Sequence, residues 1–293
     1  MSIKSDAFTG DTSVAVTMLG SFGVTIAGQP VERWRAGKAR CLLQYLLMRP
    51  GRVVSRQALQ QALWPESRAA QHSSSLKVAV HMLRNILTSA TATITDSPAA
   101  PMLRIDTHDY GYSLEVRNVS IDFLRFEQLI SHAQNSGACV SQAQALALYQ
   151  EAAALYSGDF LVGLDVEWAD VRREWLRSLM ICALEKLAAI HLERADDIGV
   201  INACHRLLEM EPYHEQSYRT LMMVHGRLGQ HMQVDRWYRL CVSQLAGGLQ
   251  VGPSEATRNV YRGSSQTPGR QLGGLAGRPR TPSTELNEFP AAI

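Results

Sequence analysis

Lys77, His81, Arg84 and Asn85 recur at intervals of three or four residues, and Leu76, Val80, Leu83 and Leu87 recur between them. Positions three and four apart share one face of a helix. The spacing therefore predicts a helix over about 73–87 with an apolar stripe on one side and hydrogen-bonding groups on the other. Such a polar face suits the edge of a base pair. Arg84 can grip guanine bidentately and Asn85 can grip adenine. Lys77 and His81 can reach a base edge or neutralise a phosphate. Ser73, Ser74 and Ser75 open the helix, where backbone N–H groups suit a phosphate; helix capping explains them equally well. Arg33, Arg35, Lys38, Arg40 and Arg52 are further phosphate candidates.

No catalytic, metal or cofactor site is expected. The Gly37–Lys38 pair has Glu32 where a phosphate-binding loop needs its first glycine. Neither G-x-S-x-G nor H-E-x-x-H occurs. The five cysteines, at 41, 139, 182, 204 and 241, form no C-x-x-C spacing. They read as free thiols of a reducing cytoplasm, with Cys182, Cys204 and Cys241 as small core residues. The apolar run Leu179–Ile190 is broken by Glu185 and Lys186, so no membrane span is expected.

The elements around the third helix frame it. Strands are expected at 14–19 and 22–26. A helix carrying Ala39, Leu42, Leu43, Leu46 and Leu47 ends at Pro50–Gly51, and a second, capped by Ser55, ends at Trp64–Pro65. Short strands follow at 92–95, 103–105 and 112–116. Strands, three helices and a hairpin make a winged helix-turn-helix, with His108 and Tyr110 at the wing. The net charge of +2 hides an asymmetry: residues 1–117 carry 13 basic and 8 acidic side chains, residues 118–262 carry 13 and 17. A basic front and an acidic back imply two kinds of partner.

From about Ser120 the pattern is helical, and two stretches match at a spacing of 34 residues. Leu184 matches Tyr218, Leu187 matches Leu221, Ala188 matches Met222 and His191 matches His225. That period is the mark of tetratricopeptide-like helical hairpins. Helices at about 121–134 and 142–156 would extend the stack. The fold class is thus multidomain, α+β and all-α: a winged helix-turn-helix at 14–117, then an α-helical tetratricopeptide-like repeat domain at 118–262. Residues 1–13 are expected to be a flexible N-terminus and 263–293 a disordered, Gly- and Pro-rich tail.

In order along the chain, LGSFGV (19–24), LLMRPGRVVSRQALQQALWP (46–65), LKVAVHMLRNIL (76–87), GYSLEV (111–116), IDFLRFEQLI (121–130), ALYSGDFL (154–161), EWADVRREWLRSL (167–179) and VGPSEATRNVY (251–261) resemble the SARP family of bacterial transcription activators. That family joins a response-regulator-type winged helix to a bacterial transcriptional activation domain (BTAD). The resemblance implies a non-enzymatic, sequence-specific regulator of the bacterial cytoplasm, associated with the nucleoid when bound to DNA. Its partners would be double-stranded promoter DNA and RNA polymerase, with a homodimer or side-by-side pair on promoter repeats and no membrane.

Three departures stand out. The family's recognition helix often reads SRLRR where this chain has His81-Met82-Leu83-Arg84-Asn85, and its wing often has arginine where this chain has His108. The turn before the last helix, of the type EELGxxP, is here Gly247-Gly248-Leu249-Gln250-Val251-Gly252-Pro253. The lost arginines motivate a second reading, a tetratricopeptide-like adaptor whose winged helix does not bind DNA.

Overall fold

The computed structural model describes residues 14–26, 28–31, 37–65, 73–91, 102–135 and 141–265. The expected strand at 92–95 and the first thirteen residues lie outside this set, as do Arg33 and Arg35.

Strands β1 (Val14–Thr17), β2 (Gly23–Ile26) and β3 (Gln29–Pro30) form an antiparallel meander. Val14 and Val16 point inward while Thr17 faces water, the period of two that a half-buried strand requires. Three helices follow: α1 (Gly37–Leu47), α2 (Arg56–Leu63) and α3 (Ser73–Thr91). Leu42, Leu43, Leu46, Leu59, Leu63, Leu76, Val80 and Leu83 close a common core between them. The predicted cap at Ser55 is present: its Oγ accepts the Ala58 N–H at 3.1 Å. Ser55 also lies in a strand not anticipated, β4 (Val54–Ser55), which pairs with β6 (Gly111–Arg117).

β6 and β5 (Met102–Thr107) form the wing hairpin, in register from Met102 opposite Arg117 to Thr107 opposite Tyr112. Gly111 is required by contact, since a Cβ there would stand 2.0 Å from the Val54 carbonyl oxygen.

The back half is a helical stack: α4 (Asp122–Asn135), α5 (Gln142–Leu155), α6 (Glu167–Glu193), α7 (Asp197–Met210), α8 (Glu215–Arg227), α9 (His231–Gln244) and α10 (Glu255–Ser265). The 34-residue repeat is structural. Leu184 and Leu187 on α6 and Tyr218 and Leu221 on α8 are all buried. The repeat extends to polar contacts. His191 Nδ1 meets Asp196 at 2.8 Å and His225 Nδ1 meets Gln230 at 2.6 Å, the same offset of five in each hairpin. Both histidines thus bridge from one helix to the residue that opens the next. Cys204 and Cys241 are buried as expected; Cys182 is only half-buried.

After α9 the chain makes a π-helical turn (Leu245–Leu249) and reverses through Gln250 in the left-handed region. This occupies the place where the familiar pre-helix turn departs in sequence. The last helix nonetheless docks: Glu215 Oε2 accepts the Ser254 N–H and Oγ–H at 2.9 and 2.7 Å and also the Thr257 hydroxyl. Since α10 runs to Ser265, the first residues of the expected tail are helical.

The two halves share structure across the boundary at 117. A strand not anticipated, β7 (Val119–Ile121), pairs in parallel with β1, giving the sheet order β3-β2-β1-β7. Beyond it, the buried Asp122 carboxylate accepts the N–H groups of Met18 and Leu19 at 2.7 and 2.8 Å. The segment after β1 also bonds to the loop before α6, Leu161 N to Met18 O at 2.8 Å and Gly20 N to Asp159 O at 3.0 Å. Gly20 adopts φ +105°, and a Cβ on it would stand 2.6 Å from Ser157 Oγ. Phe123 and Phe160 meet edge to face at 5.4 Å, and Tyr45 of α1 meets Trp168 of α6 at 5.1 Å. One continuous apolar core therefore runs from the sheet into the stack.

Candidate nucleic-acid interface

α3 buries Leu76, Ala79, Val80, Leu83 and Leu87 and turns Ser74, Lys77, Val78, His81, Asn85 and Thr88 outward. The outward set recurs at three- and four-residue steps, so it forms one continuous face. Lys77 and His81 are exposed, and Asn85 Nδ2 stands 3.1 Å from His81 Nε2. The face therefore brings together three of the four expected base-edge residues.

Arg84 is placed otherwise. Its guanidinium donates through Nε and Nη2 to the Ile105 carbonyl at 3.2 and 2.8 Å, and through Nη2 to Thr107 Oγ1 at 2.7 Å. It is half-buried and ties α3 to β5 of the wing. Its position on the polar side was legible in the spacing. Its partner, brought in from β5 by the fold, was not.

Val78 is the residue that reasoning from polar groups passed over. It is 56% exposed in the middle of the outward face. The signal was its phase: it is apolar, yet it lies one step out of register with Leu76, Val80 and Leu83. An exposed aliphatic group on this face suits the methyl of thymine.

The expected phosphate contacts divide. Lys38 donates to the Leu63 carbonyl, capping the end of α2, with its ammonium 5.6 Å from the Trp64 ring centre. Arg40 stacks 5.1 Å over Phe22. Both cations have structural partners, while Arg52 sits exposed in the turn after α1. Ser74 is exposed and Ser75 half-buried at the start of α3, which Ser73 opens.

At the wing tip, His108 turns inward and its Nε2 meets Ser113 Oγ at 2.8 Å. Tyr110 points out, 63% exposed. The tip is held by a residue the sequence reading omitted: Arg56, at the start of α2, donates to the carbonyls of His108, at 3.0 Å, and Asp109. On the wing's outer face Arg104 lies between Asp106 at 2.9 Å and Glu115 at 2.6 Å. That cation is neutralised, so the wing adds little net positive charge.

A helix with one free polar face beside a β-hairpin, fused to a tetratricopeptide-like stack, defines the class: a winged helix-turn-helix regulator with a helical effector domain. Comparison with known families agrees. Residues 34–97 match the family described as "Transcriptional regulatory protein, C terminal", and residues 121–263 match "Bacterial transcriptional activator domain". The chain thus carries these two regulatory domains, in this order.

It is 24% identical over 243 residues to "Regulatory protein AfsR" of Streptomyces griseus, which covers 78% of this chain and 23% of that protein. The namesake from Streptomyces coelicolor is 24% identical over 242 residues, covering 80% and 23%. The chain thus spans about a quarter of the length of these relatives. Among solved structures, the fold is similar to that of Mycobacterium tuberculosis EmbR, solved in complex with a low affinity phosphopeptide. The TM-score is 0.65 at 22% identity, covering 87% of this chain and 65% of that one.

Proposed function

We propose that this chain is a sequence-specific regulator that binds double-stranded promoter DNA and activates transcription. The outward face of α3 carries the reading: Lys77, Val78, His81 and Asn85 lie side by side, free of the core, next to a hairpin. A major groove admits one helix with such a face. In this arrangement His81 and Asn85 read base edges and Val78 packs on a thymine methyl. Lys77 and Arg52 neutralise phosphates, Ser74 and the first N–H groups of α3 receive another, and Tyr110 extends the wing's contact. Arg84 acts by fixing α3 against the wing. The helical stack serves the second partner, RNA polymerase, and two copies occupy adjacent promoter repeats. The whole acts in the bacterial cytoplasm. Among the described residues no helix is long and apolar enough to cross a membrane.

The test is fluorescence anisotropy with the full chain, on duplexes from its own upstream region and on scrambled duplexes, over a series of salt concentrations. Specific binding with a shallow salt slope, reflecting few phosphate contacts, supports the reading. Absence of preference for any duplex recovered by selection from a random pool overturns it and leaves the adaptor reading.

A further inference from the structure

The helical stack is open along one side. Between α5 and α7, with α6 as floor, runs a cleft of about 450 Å³. Leu184 and Leu187 form the floor, and Gln150 and Asn202 bring side-chain amides from the two walls. Asp196 stands at one end and Arg206 at the other. Ten residues of helix separate them, about 15 Å along the axis.

Arg206 has more donors than partners. It gives one hydrogen bond to the Tyr156 carbonyl, and among the described residues it makes no ion pair; Glu209 acts on it only from a distance and lies 3.2 Å from His205 Nδ1. Burial pulls its guanidinium below its ordinary value. A half-buried cation over an apolar floor favours an anion. Asp196 at the opposite end is held below its ordinary value by the Gly199 N–H and by His191, so it is a carboxylate facing water. The cleft is thus negative at one end and positive at the other, with two amides between them that can pair with an extended backbone.

The chain supplies a segment of matching polarity. The described residues end at Ser265, and 28 more follow in the sequence. α10 ends close to the negative end of the cleft. A Cβ on Gly226 would stand 3.3 Å from Ser264 Cα, and the next residue, Arg227, is ion-paired with Asp197. A random coil of that many residues would have a root-mean-square reach of about 30 Å. Its only acidic residues are Glu285 and Glu288, and its last basic residue is Arg280. Glu285 lies five residue steps beyond Arg280, about 16 Å when extended. Pro282 favours that extension and lacks an N–H to satisfy.

We propose that residues 280–286 lie extended in this cleft, Arg280 at Asp196 and Glu285 at Arg206, so that the chain covers its own helical surface. Hydrogen exchange on the full-length chain tests this. Glu285→Arg, a change outside the helical core, should speed exchange at least twofold in residues 281–286 and in the 198–206 stretch of α7. Arg206→Glu should do the same, and Arg206→Glu with Glu285→Arg should restore slow exchange. Glu285→Arg without effect overturns the proposal, as does a reversed pair that fails to restore protection. Protection that rises with protein concentration also overturns it, because the occupant would then be the segment of a second copy.

Discussion

Arg84 directs its guanidinium hydrogen bonds to the wing, and that changes what its removal should do. Hydrogen bonds from a charged group contribute about 1.5–3 kcal/mol, and neutral ones less. Arg84→Ala should therefore lower stability by about 1–3 kcal/mol in chemical denaturation and weaken binding to all DNA sequences alike. Lys77 has no such duty. Lys77→Ala should leave stability unchanged and reduce the salt slope by about one. Val78 gives a sharper test. Val78→Ala removes two methyl groups, about 1–2 kcal/mol of apolar contact. Replacing the contacted thymine by uracil should cost a similar amount in the wild type and almost nothing in the variant. If the two losses add in full, Val78 does not touch that methyl.

At the scale of elements, α10 depends on one carboxylate. Burial raises the pKa of Glu215, but hydrogen bonds from Thr257 and Ser254 and the charge of Arg219 outweigh it and leave the group below its ordinary value. A depressed carboxylate stabilises the folded state above its unfolded pKa, and that contribution is lost as pH falls through the folded value. Hydrogen exchange of residues 255–265 should therefore accelerate, beyond its intrinsic pH dependence, only below the ordinary glutamate range. In Glu215→Gln the same helix should be loose at neutral pH and show no such transition. The wing is the contrasting element. Its hairpin is fixed at several points: Gly111 against Val54, Arg56 at the tip, and Arg104 facing Glu115 across the strands.

For the whole molecule, the joint between the halves rests on Asp122. Its pKa is raised by burial, against which the N–H groups of Leu19, Met18 and Phe123 act. Asp122→Ala would leave the Met18 and Leu19 donors buried without an acceptor, at about 1–3 kcal/mol each. Since β7 belongs to the sheet of β1 and the apolar core is continuous, the loss should appear in both halves together. The tryptophan fluorescence transition and the loss of DNA binding should shift to lower denaturant by the same amount. A transition confined to one half would show that the halves fold independently.

Much of this was legible along the chain because local periodicity is local physics. The stripe of α3, the Ser55 cap and the 34-residue repeat follow from 3.6-residue turns and hairpin length, and each stands where the spacing puts it. The change of charge near residue 117 was legible, but not that a sheet and an apolar core run across it. β7 is three residues long, and nothing in Val119-Ser120-Ile121 announces a partner more than a hundred residues upstream. The same limit governs the site. Sequence placed Lys77, His81, Arg84 and Asn85 on one helix and fixed their order around it. Only the tertiary structure decided that Arg84 meets the Ile105 carbonyl, that Lys38 caps α2 and that His108 turns to Ser113. Long polar side chains take whichever partner the fold brings within three ångströms, and that partner comes from an element distant in sequence.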